Sequence, residues 1–302
     1  MPTATQSRRT SLLEQIDCLD VIPSVDAIVQ PLIGYLQQPL ETLDMQRVID
    51  LISHDNSLAA QCLHLANSPL FGRWQAINTT RGAVIALGLQ RMREIAVSCC
   101  VLKLLPSETK GLNPVVFWEH SLACALVCRR MAKRIGDKDP EQAYLAGLLH
   151  DIGFIVNLHL LGEEFYQVMV EASTRECPID VVEDERFGFN HCESGKVLAR
   201  KWGLAADLVE VISHHHRMSA LADYPALTAI VTIADKMCRL QGLGYGYKEN
   251  LAVDWEKEES VEILKATWPI ARNVSWTRFS AELDAYLKDV HNLVGALYRF
   301  SA

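Results

Sequence analysis

The chain has no uninterrupted apolar run of the roughly 18 residues that a membrane-spanning helix needs. Its first residues, MPTATQSRRTSLLEQIDCLDVIP, lack the apolar centre of a secretion signal. These two absences lead to the expectation of a cytoplasmic protein without a membrane association. Paired C-x-x-C motifs are also missing. The nine cysteines are odd in number and none has zinc-ribbon spacing, so neither a disulfide framework nor a cysteine zinc site is expected, and most read as small buried apolar residues. Basic charge is in deficit, 29 Lys and Arg against 37 Asp and Glu, a formal net charge of −8. Broad binding to DNA or RNA depends on cations that neutralise phosphates, and is not expected here. Repeats and low-complexity segments are absent, and strand-like alternation is scarce.

What remains is helical pattern. With 302 residues, 49% hydrophobic and 22% charged, the chain has room for one large or two ordinary cores. In DMQRVIDLISHDNSLAAQCLHLANS, Met45, Val48, Leu51, Ile52, Leu58, Cys62, Leu63 and Leu65 recur mostly at intervals of three or four, as on one helix face. The breaks are those of helices: Pro39, the NSPLFGRW turn, Gly88, and IGDKDP at 135–140. The polar stretch LLPSETKGLNP marks a subdomain boundary. The reading is an all-α protein of two packed helical subdomains, 1–108 and 109–241, with a helical extension over 242–302. Trp255, Trp268 and Trp276 of that extension are expected to dock on the bundle.

In LAGLLHDIGFIVNLHL, His150 and Asp151 interrupt an otherwise apolar segment. A buried carboxylate is costly unless its charge is compensated, so the segment needs partners elsewhere. Candidates follow in order. His120 falls on the face of Cys124 and Val127, four and seven residues on, and so points inward. His191 opens a helix with Asn190 as N-cap and Glu193 completing a capping-box pattern. LVEVISHHHRM ends an apolar helix with His214, His215 and His216, and LTAIVTIADKMCRL buries Asp235 among Ile and Val. Imidazoles with a bridging carboxylate suit iron, manganese or zinc better than calcium or magnesium. We therefore expect a pocket for divalent metal, possible as a two-ion centre, held by His120, His150, Asp151, His191, His214, His215 and Asp235. His150 and Asp151 should diverge, one to each side of the centre, and Gly153 should let the backbone pass close by. A solvated helix end is the alternative for the triple histidine. Asp55 of the second His-Asp pair is expected to cap a helix, and His64, His159 and His291 to be structural or exposed.

The ordered set His120, His150–Asp151, His191, His214–His215, Asp235 resembles the HD phosphohydrolase superfamily, particularly its HD-GYP branch, which hydrolyses cyclic dinucleotides at a centre of two or three metals. The front half resembles the HDOD family, the HD-related output domain of bacterial signalling proteins. LDVIPSVDAIVQPL, VIDLISHDNSLAAQCLHLANSPLFG, INTTRGAVIALGLQRMREI and FWEHSLACALVCRRMA follow its course, and the likeness runs over roughly residues 12–240. It implies a helical HD-like bundle and a signal-transduction output module that acts mainly through protein contacts. Its partner would be an input or receiver domain on another chain, since only a short segment precedes the likeness. The alternative implied by the HD branch is a metal-dependent phosphohydrolase acting on a nucleotide or cyclic dinucleotide, with Asp151 bridging the metals. Against that branch, HDIGF has Phe154 where a lysine contacts substrate phosphate, and no Gly-Tyr-Pro loop follows the histidines. Lys196, Arg200 or Lys236 could replace that lysine; a solvated helix face is the alternative for all three.

Overall fold

The computed structural model describes residues 14–15, 29–71, 76–105, 113–218 and 223–301. Among them there is no strand, and the fold is all-α. The helices, in chain order, are α1 Val29–Leu36, α2 Met45–Ser53, α3 Asn56–Ala66, α4 Thr80–Leu87, α5 Leu89–Leu104, α6 Pro114–Ile135, α7 Pro140–Leu149, α8 Ile152–Leu161, α9 Glu163–Arg175, α10 Ile179–Phe187, α11 His191–Lys201, α12 Ala206–His214, α13 Pro225–Leu240, α14 Glu259–Thr267 and α15 Trp276–Ser301.

Local chemistry sets most of these starts. Asp44, Asp55, Thr79, Asn113, Asp139 and Asn190 each accept a hydrogen bond from an amide of the first turn, which satisfies a donor the helix leaves open. Pro114, Pro140 and Pro225 stand in the first turn, where a missing N–H costs nothing. Gly188 ends α10 at φ 75, a left-handed conformation that L side chains rarely adopt, and turns the chain toward α11.

The chain separates into two compact units, with Pro106–Asp284 in one and Ser24–Leu105 with Ala285–Ala302 in the other. In the smaller unit, α5 is buried over most of its length and packs on α1, α3 and α4. In the larger one, α6 packs along α7, α11 joins α8 and α12, and α13 packs on α6, α7, α12 and α14. Trp118, Tyr144, Phe117, Phe154 and Phe165 fill its core, and Trp255 and Trp276 are also buried.

Pro140–Leu161 is, by length and composition alone, apolar enough to cross a membrane, although His150 and Asp151 interrupt it. Its window of mean hydropathy 1.4 is 89% buried, so it is a core segment of the larger unit.

Candidate metal centre

Five helix ends or faces of the larger unit bring the polar residues together. His120 comes from the middle of α6, His150 and Asp151 from the break between α7 and α8, His191 from the start of α11, His215 and His216 from the end of α12, and Asp235 from α13. Asp151 is at the middle. Its Oδ1 is 3.4 Å from His191 Nε2 and 3.3 Å from His215 Nε2. Its Oδ2 is 3.4 Å from His120 Nε2 and 3.2 Å from His150 Nε2. Asp235 Oδ1 is 3.4 Å from the same His120 nitrogen. His216 Nε2 is 3.0 Å from His191 Nε2, and its Nδ1 is 3.9 Å from Asp235 Oδ2.

The other ring nitrogens are committed outward. Nδ1 donates to the Leu243 carbonyl in His120 (2.7 Å), to the Gly147 carbonyl in His150 (2.8 Å) and to the Ile212 carbonyl in His215 (3.2 Å). His191 Nδ1 donates to Glu183 Oε2 at 2.5 Å, and the other oxygen of that buried carboxylate accepts from Asn157 at 2.8 Å. A carbonyl or carboxylate acceptor on Nδ1 sets the tautomer in which Nε2 carries a lone pair, the arrangement found behind metal-bound histidines. Four Nε2 atoms therefore face one carboxylate.

The helix break decides this convergence. His150 and Asp151 were expected to diverge, but α7 ends at Leu149 and Asp151 takes φ −98, ψ 15, outside helical geometry, so both side chains turn to one centre. Gly153 explains how α8 and α11 come so close: a Cβ there would lie 1.8 Å from the His191 carbonyl oxygen. Gly195 faces it from α11, its own Cβ position 3.1 Å from Gly153 N.

The electrostatics are coupled. Burial pushes the Asp151 carboxyl up, but His150, His120 and His215 around it hold it well below the usual carboxylate range. Asp235 is likewise held down against its burial, by Arg239 first, whose guanidinium donates to Oδ2 at 3.0 Å. Burial alone would strip protons from the imidazoles. The two carboxylates outweigh it at His120, Glu183 at His191, and Cys192 with Asp151 at His215, which is pushed up to about 10. His216 goes well below its ordinary value through burial and through His215 and His191.

A metal fits this set. His150 Nε2, Asp151 Oδ1 and Asp235 Oδ1 are buried and have no hydrogen-bond partner, although cationic or acidic groups lie within 3.4 Å. Leaving a buried polar atom unsatisfied costs about 1–3 kcal/mol, and cations bound among these groups would relieve it. Ligand atoms of His150, Asp151 and His215 lie within 4.8 Å of one another, as do those of His120, Cys124, His150 and Asp235, and those of His191, Cys192, His215 and His216.

Several residues differ from the sequence reading. His214 stays out of the cluster: its Nδ1 bonds to the Glu210 carbonyl and it lines a cavity with Lys196 and Arg200. His216 takes the place expected of it. Lys236 is paired with Glu258 at 2.6 Å. Cys124 and Cys192 border the ligands, and the Cys192 thiol is drawn below its ordinary value, against burial, by His215 and His191. Asp55 caps α3, accepting from Leu58 N at 3.0 Å.

Sequence reasoning missed Glu183, which backs His191, and also Tyr245. Its hydroxyl donates to Asp151 Oδ2 at 2.9 Å, and its ring stacks on Phe154 with centroids 4.6 Å apart and planes at 22°. Phe154 in turn lies against the His191 ring at 4.4 Å. Its one sequence signal is the run GLGYGYKEN, whose glycines at 242 and 246 have φ of 81 and 88 and so fold a tight strap after α13.

An all-α bundle with a buried centre of histidines around a shared aspartate is the arrangement that the resemblance to HD domains implied. Residues 22–218 match the HDOD domain, and the chain belongs to the HDOD family. An HDOD domain protein of unknown function from Geobacter sulfurreducens is 31% identical with a TM-score of 0.81, over 96% of this chain and 98% of that one. The fold is shared with a proposed phosphohydrolase from Shewanella amazonensis SB2B (TM-score 0.71, 22% identity, 95% and 97% covered). It is shared also with a proposed signal transduction protein from Marinobacter aquaeolei VT8 (TM-score 0.73, 18% identity, 98% and 66% covered). An uncharacterized protein of Treponema pallidum (strain Nichols) is 26% identical over 241 residues, 78% of this chain and 45% of that protein. The chain thus spans less than half the length of that relative.

Proposed function

We propose that this chain is a cytoplasmic regulatory output module of signal transduction, which binds a protein partner such as an input or receiver domain on another chain and does not turn over a substrate. We propose also that its His/Asp centre holds a divalent metal, iron, manganese or zinc, through His120, His150, Asp151, His191, His215, His216 and Asp235. The observation that carries the reading is the strap. Asp151, the carboxylate that four of the histidines face, is fully buried, and Tyr245 donates to the oxygen that faces His120 and His150. Phe154 stands beside it where the HD-GYP likeness leads one to expect a phosphate-binding lysine, a contact of the kind that contributes much of the stabilisation of developing charge.

Bound there, a divalent metal supplies positive charge that compensates the buried carboxylates and relieves the unpartnered nitrogen and oxygens. The chain's own residues do the rest. Glu183, Leu243, Gly147 and Ile212 orient the imidazoles, Arg239 pairs the outer oxygen of Asp235, and Phe154 with Tyr245 excludes water. Support for a signalling role comes from family membership and from the fold shared with the Marinobacter protein.

The second reading, a metal-dependent phosphohydrolase on a nucleotide or cyclic dinucleotide, is favoured by the complete ligand set and its backing hydrogen bonds. One experiment separates the two. Protein purified without chelator or metal-binding tag is assayed for metal by elemental analysis and for phosphate or mononucleotide release across a panel of phosphoesters with manganese or iron, beside Asp151→Ala. The expected result is near-stoichiometric metal in the parent, little in the variant, and no release from either. Metal-dependent release that disappears in Asp151→Ala would establish the hydrolase instead. Metal-free, folded parent protein would overturn the metal assignment.

A further inference from the structure

The cavity that takes His214 away from the centre also takes Lys196 and Arg200. It has a volume of about 430 Å³ and is lined by α11 (Lys196, Arg200), α12 (Glu210, Ser213, His214) and the residues ahead of α13 (Asp223, Tyr224). That volume lies in the range of small-molecule sites, roughly 300–1,000 Å³. Lys196 and Arg200 are one helical turn apart on the same face. Unlike Lys236 and Arg239, which are paired with Glu258 and Glu249, neither cation has an acidic partner among the described residues.

We propose that this cavity is a second ligand site, separate from the His/Asp centre, which binds a nucleoside phosphate: phosphate on Lys196 and Arg200, base on Tyr224. Of the two acidic residues of the cavity, Glu210 is already engaged. Both Glu210 oxygens are taken by main-chain amides, Oε1 by Tyr224 N at 2.6 Å and Oε2 by Asp223 N at 3.0 Å. These bonds hold the main chain at Asp223 and Tyr224 in place, and Tyr224 is an exposed large aromatic residue, 42% exposed. Asp223 is exposed and carries a carboxylate that can accept from an exocyclic amine. His214 has Nδ1 engaged with the Glu210 carbonyl at 3.1 Å, which leaves Nε2 as its remaining polar atom. Because α12 packs on both α11 and α13, the cations stand on one side of it and the ring and free carboxylate on the other. Inorganic phosphate would use the first side alone and a nucleoside the second alone. A nucleotide uses both, with charge-assisted bonds at one end and stacking at the other.

The test is equilibrium titration of the full chain, as purified, with AMP, GMP, adenosine and inorganic phosphate, followed by calorimetry. Saturable binding of AMP or GMP is expected, with adenosine and phosphate each at least about tenfold weaker. The double variant Lys196→Ala/Arg200→Ala should weaken the nucleotide at least about tenfold. Tyr224→Ala should weaken nucleotide binding and leave phosphate binding as it is. All three side chains are at the surface or partly exposed, so the variants keep the fold, which an unchanged melting temperature checks. Three results would overturn the proposal: no saturable nucleotide binding, nucleotide binding indifferent to the double variant, or nucleotide binding lost in Asp151→Ala while the double variant leaves it intact. The last would place the ligand at the His/Asp centre.

Discussion

Gly153→Ala is the most exacting test of the close approach that builds the centre. The added Cβ would meet the His191 carbonyl oxygen at 1.8 Å, its carbon at 2.7 Å and Gly195 N at 2.8 Å, all main-chain atoms, where real Cβ contacts stay beyond 3.0 Å. Relief requires α8 and α11 to part by about 1.2 Å or more along that line. His191 cannot give that distance without loss, because its amide and its Nδ1 are both bonded to Glu183 Oε2, at 3.1 and 2.5 Å. Overpacking costs typically about 1–3 kcal/mol, occasionally more, and a clash with main-chain atoms alone belongs at the upper end, about 3 kcal/mol. That is a large part of the total stability of an ordinary domain, about 5–15 kcal/mol. Gly34→Ala is the control: Gly34 lies exposed in α1 with nothing within 4 Å of a Cβ, so there the change should be neutral or stabilising by up to about 1 kcal/mol. Urea unfolding followed by far-ultraviolet circular dichroism, with metal content measured on the same samples, reads both. A Gly153→Ala protein with the parent's midpoint and the parent's metal would refute the packing argument.

Three further outcomes follow from the same geometry. His214→Ala should keep the metal content of the parent and His216→Ala should lower it, and the reverse pattern by elemental analysis would restore the sequence reading of the histidine run. Tyr245→Phe keeps the ring stack on Phe154 but leaves Asp151 Oδ2 without its hydroxyl donor, so the melting temperature should fall by the equivalent of about 1–3 kcal/mol; an unchanged value would remove the strap from the account. Asp55→Ala should cost about 0.5–2 kcal/mol through the lost cap on α3. Burial pushes the Asp55 carboxyl up, but Lys103 and the Leu58 amide hold it below its ordinary value of 3.8. A depressed folded value means that the contribution is complete above about pH 4 and is lost as pH falls further, so parent and variant should differ fully at neutral pH and converge in acid.

The parts of this site that were legible in the sequence are those governed by periodicity and caps. His120 could be turned inward by counting four and seven residues, Asp55 and Asn190 could be read as caps, and the all-α class followed from the spacing of apolar residues. The rest turned on where helices stop. A run of three histidines rotates by about 100° per residue, so which two face the centre depends on the last residue of α12, and such ends are uncertain from pattern by one or two positions. The same limit hid the convergence of His150 and Asp151, which needs the break at Leu149. Tyr245 had no periodicity to betray it: it sits in a glycine-rich strap and its partner is 94 residues away in the chain. Glu183 was missed for a similar reason, since a lone glutamate in a helix reads as surface until His191 is seen against it.

The preserved ligand set can be weighed in the same terms. Apart from His216, which is part-buried, each histidine and carboxylate of the centre is fully or almost fully buried, and each compensates its neighbours. Removing one partner from such a cluster leaves the others buried and unpaired, at a cost of about 3–5 kcal/mol, which is enough to unfold a marginal domain. Stability alone therefore holds all of these residues in place, whether or not any substrate is turned over, and their presence is weak evidence for catalysis. Tyr245 and Phe154 are different. A substrate phosphate that approached Asp151 on its Oδ2 side would have to displace a hydroxyl and two stacked rings, and neither ring is needed to compensate the charge of the carboxylates. Their position is what argues for a closed centre, and so it is the strap, more than the histidines, on which the choice between a regulatory module and a hydrolase rests.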